Sequence, residues 1–155
     1  FKEMQKIYDQ GKEYYDKLQS VHNLIKDARK VKETVELVSE ISQIYSTNFN
    51  KMLMDKNFTV NELEAISNGY SKLLKESGNL LSDIKNVVSV SNGLSMTDAE
   101  RMAVIDQIHT KMVEHRNLVK YFSKKSISVS FIRSQEKGDM ERVRSLYGDP
   151  SEKYW

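Results

Sequence analysis

The sequence lacks cysteine altogether and has only one proline, one tryptophan and six glycines in 155 residues. Without cysteine the chain can form no disulfide, thiol nucleophile or cysteine-ligated metal site. Because proline and glycine are the residues that interrupt regular backbone, their scarcity indicates long helices with few breaks. Charged residues make up 30% of the chain, and helix-forming Lys, Glu, Leu and Met are frequent. The composition therefore predicts an all-α protein with much solvated helix surface.

Long apolar runs and a strong excess of one charge are missing too. No run of about 18 apolar residues occurs, so no transmembrane segment is predicted in this sequence. The 24 basic and 22 acidic residues leave a net charge of +2 and are interleaved along most of the chain. This balance argues against a dedicated nucleic-acid binder. The chain begins at Phe1, as it would after removal of an export signal or after trimming.

A heptad-like apolar stripe occupies the first third of the sequence. Its members recur mostly three or four positions apart, which is typical of one face of a long helix packed along partners. The stripe predicts a helix over residues 2–54, with Gly11 as its weak point, that is either continuous or interrupted at residues 46–48. The stripe consists of Ile7, Tyr14, Leu18, Val21, Leu24, Ile25, Ala28, Val31, Val35, Val38, Ile41 and Tyr45.

Two capping boxes mark the starts of the next two helices. Thr59 is followed three residues later by Glu62, and Thr97 by Glu100. In such a pair each side chain bonds the backbone N–H of the other residue, which satisfies the free donors of a helix N-terminus. Apolar spacing then predicts helices over residues 59–91 and 97–123. The helix over residues 97–123 carries Met102, Ile105, Ile108, Met112, His115, Leu118, Val119 and Phe122 at its predicted packing positions.

Short connections allow only antiparallel neighbours, so the three helices should run up, down and up. We therefore predict an elongated antiparallel three-helix bundle, a single helical domain over residues 1–155, with a smaller C-terminal helical segment over residues 124–155. Whether the apolar stripe is covered within one chain or between chains stays open.

The C-terminal segment gives a mixed signal. Ile127, Val129 and Phe131 alternate at period two, as in a strand, but the sequence has no second strand pattern for pairing. A lone strand is marginal, so over residues 126–132 a continuing or restarted helix is favoured.

A short final helix is predicted for MERVRSLY, residues 140–147. Gly138 and Asp139 indicate a break and a cap before it. Gly148 is typical of a helix stop, and Pro150 prevents continuation.

No constellation of residues indicates catalysis, a metal or a cofactor. His109 and His115 are six apart, which places them on different helix faces, and His22 is remote in sequence. Most carboxylates neighbour lysines, as surface ion pairs do, and neither a glycine-rich phosphate loop nor a GxSxG elbow occurs. The triplet at residues 57–59 matches an N-glycosylation acceptor, although Thr59 already serves as a cap. The sequence thus predicts a non-enzymatic protein.

Two groups of residues are candidates for contact with a partner. Residues 124–144 contain six basic and three acidic residues. Lys124, Lys125 and Arg133 belong to this modestly basic stretch. Tyr154 and Trp155 form an aromatic chain end that either folds back onto the bundle or projects to a partner.

Five segments resemble one known family. They are QGKEYYD (residues 10–16), NLIKDARKV (23–31), SMTDAERM (95–102), ISVSFIR (127–133) and LYGDPSEKYW (146–155). Together they cover the chain from end to end and resemble conjugal-transfer proteins of Bacteroidetes-type conjugative transposons, related to the TrbJ group. None of the segments is a catalytic motif.

The resemblance implies a component of a type IV secretion (mating-pair formation) apparatus, exported across the inner membrane by an N-terminal signal. The better-studied relatives are minor pilus components at or near the pilus tip, built as elongated helical bundles with a smaller appended part. We therefore expect an exported structural subunit in the periplasm or at the cell surface, whose partners are other subunits of the apparatus or further copies of itself. The alternative is a cytoplasmic helical adaptor or a DNA-associated accessory protein of the transfer system.

Overall fold

Four α-helices account for most of residues 28–88 and 97–149, which are the residues that the computed structural model describes. Three are long and pack against one another, and a short one follows; no strand occurs in these residues. This confirms the all-α bundle with a smaller C-terminal helical segment. The helices are α1 (Ala28–Leu53), α2 (Val60–Val88), α3 (Asp98–Lys137) and α4 (Met140–Tyr147).

Both predicted capping boxes are formed at the starts of α2 and α3. The Glu62 N–H donates to Thr59 Oγ1 at 3.1 Å, and the Thr59 N–H donates to Glu62 Oε1 at 3.0 Å. The Glu100 N–H donates to Thr97 Oγ1 at 3.1 Å, and the Thr97 N–H donates to Glu100 Oε2 at 3.4 Å. Each helix therefore begins directly after its threonine.

α3 continues to Lys137, well beyond the predicted end at residue 123. Residues 126–132 are helical, and the alternation of Ile127, Val129 and Phe131 reflects no strand. Ile127 and Phe131 are fully buried and lie one helical turn apart, whereas Val129 is only half-buried on another side of the helix. α1 likewise runs through residues 46–48 without interruption. The predicted helix start at residue 2, Gly11, His22 and the predicted helix end at residue 91 lie outside the described residues.

One compact unit consists of residues 28–42, 73–88 and 97–116. Glu33 contacts His109 at 3.0 Å and Glu40 contacts Arg116 at 3.1 Å, so here α1 and α3 run parallel. The core of this unit is aliphatic. It contains Val31, Val35, Leu37, Val38, Ile41, Leu74, Leu80, Leu81, Ile84, Ile105, Ile108 and Met112.

The second compact unit consists of residues 43–72 and 117–149 and has an aromatic centre. Tyr70 is fully buried, with ring centroids of Tyr45 and Phe122 at 4.5 and 4.8 Å, both edge-on. Edge-to-face pairs of this kind add to the apolar burial. The Tyr70 hydroxyl lies 2.5 Å from Ser123 Oγ, which itself donates to the Val119 carbonyl, so the tyrosine is the donor. Burial raises the pKa of Tyr70 to about 12.

Replacing Tyr70 with Phe should lower the free energy of unfolding by about 1 kcal/mol, because one buried hydrogen bond is lost while Ser123 keeps its bond to Val119. The same change at exposed Tyr121 is the matched control and should cost less than about 0.5 kcal/mol. Urea unfolding followed by circular dichroism measures both. Equal effects of the two substitutions would contradict this account of the core.

Candidate functional site

The connection between α1 and α2 places two polar side chains inside the second compact unit. Asp55 is 3% exposed and Asn57 is 4% exposed. The Asn57 N–H donates to Asp55 Oδ1 at 2.9 Å, and the Phe58 N–H donates to the Asp55 carbonyl at 3.4 Å. Such local bonds are typical of aspartate in turns. The turn thus fixes both side chains before they meet the other helices.

Asp55 accepts hydrogen bonds from both α3 and α4. The hydroxyl of Tyr147 donates to Asp55 Oδ2 at 2.7 Å, and Ser130 Oγ donates to the same oxygen. Arg142 Nη1 lies 3.4 Å from Oδ1 and supplies the positive charge that a buried carboxylate needs. Asp55 therefore links the loop to Ser130 of α3 and to Arg142 and Tyr147 of α4.

Asn57 forms a second buried contact with the end of α3. Its Nδ2 donates to Ser134 Oγ at 2.7 Å and to Ser130 Oγ at 3.0 Å. Its Oδ1 accepts from Lys137 Nζ at 3.1 Å. Since this amide is buried and Thr59 caps α2, the glycosylation triplet at residues 57–59 is inaccessible in the folded chain.

Arg133 lies beside these groups and forms a bidentate ion pair with Glu62. Its Nη2 and Nη1 donate to the two carboxylate oxygens at 2.6 and 2.9 Å, and Nη1 also donates to the Asn57 carbonyl. Hydrogen bonds from Arg133 and from the Thr59 N–H lower the pKa of the Glu62 carboxyl to about 2. The geometry is the bidentate one that arginine favours with carboxylates.

The turn between α3 and α4 has the glycine that was predicted there. Gly138 has φ 77°, and the Asp139 N–H donates to the Ser134 carbonyl at 3.1 Å, which is the Schellman end of α3. Asp139 occupies the N-cap position of α4, but its carboxylate makes no cap bond to the backbone and binds Arg142 instead. Gly148, with φ 93°, ends α4 as predicted.

These polar groups bind one another and link the loop to α3 and α4. Each contact of Asp55, Asn57, Glu62 and Arg133 described above is made within the chain. In residues 28–88 and 97–149, no three His, Asp or Glu side chains come together as a metal site would require. Nor does any helix of this part combine the length and apolar character needed to cross a membrane.

The residues proposed from the sequence as partner contacts have different surroundings. Lys124 is exposed, and Lys125 is exposed with its Nζ 5.5 Å from the centre of the Tyr121 ring. Arg133 is held by Glu62. Tyr154 and Trp155 lie outside the described residues, as does Pro150.

An apolar groove lies between α2 and α3 of the second compact unit. Its volume is about 370 Å³. It is lined by the apolar side chains of Phe58, Ala65, Ile66, Phe122 and Val129, with Glu62, Lys125 and Ser126 as polar neighbours.

The outer face of α3 carries further exposed apolar side chains. Leu118 is 49% exposed, Tyr121 58% and Ile132 48%. Sequence spacing assigns both Leu118 and Val119 to packed positions of α3. The assignment of Val119 is confirmed, and that of Leu118 is wrong because its side chain is 49% exposed.

Comparison of the chain with family models, with curated proteins and with solved structures found no match. The resemblance to conjugal-transfer proteins stays a prediction.

Replacing Asp55 with Ala should lower the free energy of unfolding by about 3 kcal/mol, because the donors of Ser130, Tyr147 and Arg142 lose their buried acceptor. Hydrogen exchange of α4 should rise, since two of its residues are anchored on this carboxylate. Asp83→Ala, at an exposed position of α2, is the control and should change stability by less than about 0.5 kcal/mol. Unchanged protection of α4 in the Asp55 variant would contradict the role given to this residue.

The Glu62–Arg133 pair should make the free energy of unfolding depend on pH between 4.5 and about 2. Because the folded-state pKa of Glu62 is lowered from 4.5 to about 2, its contribution is present above pH 4.5 and is lost as the pH falls toward 2. The difference in unfolding free energy between the wild-type chain and Glu62→Gln should therefore shrink over that window. Glu64→Gln, at an exposed position two residues away, should show no such convergence. A wild-type to Glu62→Gln difference that is constant with pH would refute the assignment.

Proposed function

We propose that this chain is a non-enzymatic structural subunit of a conjugative, type IV secretion transfer apparatus, exported to the periplasm or cell surface. It acts through contacts with other proteins, as a minor pilus component or an assembly or contact subunit. The observation that carries the contact role is the row of exposed apolar side chains on α3 beside an apolar groove. Exposed apolar surface of this kind marks interaction sites.

The distribution of polar groups supports the non-enzymatic part of the proposal. The buried carboxylate of Asp55 is used by the loop, α3 and α4, and Glu62 is used by Arg133. A catalytic acid or base would need access to a substrate. The choice of a conjugative apparatus depends on the five segments that resemble its family.

A DNA-associated accessory protein is the second candidate, favoured by exposed Lys124 and Lys125. Arg133, the third cation of that group, is already neutralised by Glu62 and also bonds the Asn57 carbonyl. Two exposed lysines make few phosphate contacts compared with the several that stable DNA binding uses. Protein contact is therefore the better supported role.

Deleting the gene from a donor should abolish mating while excision and nicking of the element continue, because a structural subunit acts after DNA processing. Counts of recipients that acquire the element measure mating, and amplification across the excised junction measures processing. Supplying the wild-type gene in trans is the control. Normal transfer by the deletion donor would refute the proposed function, and loss of excision or nicking would favour the DNA-associated alternative.

A further inference from the structure

Three exposed apolar residues of α3 form one continuous strip with exposed Lys125 and half-buried Val129. Leu118, Tyr121, Lys125, Val129 and Ile132 are spaced three, four, four and three residues apart, so they follow one another along one side of the helix. We call these five residues the α3 strip. Four of its members are apolar or aromatic, and the only charged member is Lys125 at its centre.

The α3 strip is continuous with the apolar groove. Lys125 and Val129 belong to both, and Phe58, Ala65 and Ile66 extend the apolar surface from the strip toward α2. A helix laid along the strip could place side chains into the groove at helical spacing, which is the common way in which an amphipathic helix is recognised.

The position of Lys125 decides what kind of helix fits. A second copy, laid antiparallel and centred on the strip, would place its own Lys125 against Lys125 of the first copy, and a parallel pair in register would do the same. Two ammonium groups facing each other in an apolar contact are unfavourable. Shifted antiparallel registers cover the strip only in part. Pairing Lys125 with Glu136 of a second copy carries the partners of Leu118 and Tyr121 beyond the end of α3 at Lys137. Pairing Lys125 with Glu114 sets the apolar side chains of Val129 and Ile132 against polar Thr110 and Gln107.

We propose that the α3 strip and its groove bind an acidic amphipathic helix of another protein. That helix carries apolar residues at three- and four-residue spacing and an Asp or Glu at the centre of its apolar face, opposite Lys125. The carboxylate neutralises the lysine, whose Nζ also lies 5.5 Å from the Tyr121 ring, and the flanking apolar residues cover Leu118 and Ile132. This inference rests on the proposed function, since it names the kind of partner that a contact subunit would take.

Two synthetic helical peptides of about five turns provide the test. Both have a leucine face at helical spacing; one has Glu at the centre of that face and the other has Lys. Anisotropy of the labelled peptides, titrated with the full chain, should show the Glu peptide binding at least about tenfold more tightly. Lys125→Glu should reverse the preference, and Ile132→Asp should weaken binding of both peptides.

Lys111→Glu is the matched control, because it makes the same charge change at another exposed position of α3. It should leave the preference for the Glu peptide intact. Circular dichroism and the thermal midpoint of each variant establish that the exposed substitutions leave the fold unchanged.

Three results would overturn the inference. Equal affinity for the two peptides, or no binding of either, would show that the α3 strip does not select an acidic helix. A dimer seen by sedimentation that Ile132→Asp dissociates would assign the strip to a second copy. Peptide binding that appears only after removal of residues 150–155 would show that the chain's own C-terminal end occupies the α3 strip.

The mating assay separates this inference from the proposed function. Donors that carry Ile132→Asp should transfer poorly, like the deletion donor, whereas Lys111→Glu donors should transfer normally. If the deletion abolishes mating but Ile132→Asp does not, the proposed function stands and the docking inference fails. If the deletion donor mates normally, the proposed function fails whatever the peptides do.

Discussion

The buried carboxylate of Asp55 is the constraint on which the second compact unit depends. A charge removed from water must be met by charge or by several donors, and Asp55 is met by both. Its donors come from the loop backbone at Asn57, from Ser130 of α3, and from Tyr147 and Arg142 of α4. The loop, the Ser130 turn of α3 and the position of α4 are therefore linked through a single side chain. Moving α4 or this turn of α3 away from the loop would remove donors from a buried carboxylate.

This constraint also explains the sequence of α3 between residues 126 and 134. A helix that faced only apolar neighbours would place apolar side chains at every inner position, yet Ser130 and Ser134 are buried there. Both hydroxyls accept hydrogen bonds from Asn57, and the Ser130 hydroxyl donates one to Asp55. Their small hydroxyls leave room for the loop to approach the helix. Ser130 also completes the alternation of serine and apolar residues over residues 126–131 that imitates a strand, although the segment is a regular helix.

Local signals predicted local structure well. The capping boxes at Thr59 and Thr97 and the helix stops at Gly138 and Gly148 depend on residues within a few positions of one another, so they can be read from the sequence. The continuation of α3 past residue 123 depends on groups about 75 positions away in the chain, as in the contact of Ser130 with Asp55. The sequence favours a helix there only because it offers no second strand, and it leaves open whether that helix continues or restarts.

The candidate site was predictable only in part for the same reason. Counting charges placed Arg133 with Lys124 and Lys125, but a count cannot distinguish a cation held by Glu62 from two that face solvent. Apolar spacing on α3 fits two faces at once, because Leu118 and Val119 are neighbours in sequence. Only the packing decides that Val119 turns inward and Leu118 outward.

The two faces of α3 support each other in the proposed role. Ile127, Ser130, Phe131 and Ser134 turn inward and are fixed by the core and by the loop, while the α3 strip turns outward along the same helix. A helical segment whose inner face is anchored loses little conformational freedom when a partner binds to its outer face, because folding has already ordered the binding surface. The Asp55 contacts thus matter for binding although none of them reaches the strip. They hold the second half of α3 in the helical form that keeps Leu118, Lys125 and Ile132 in line.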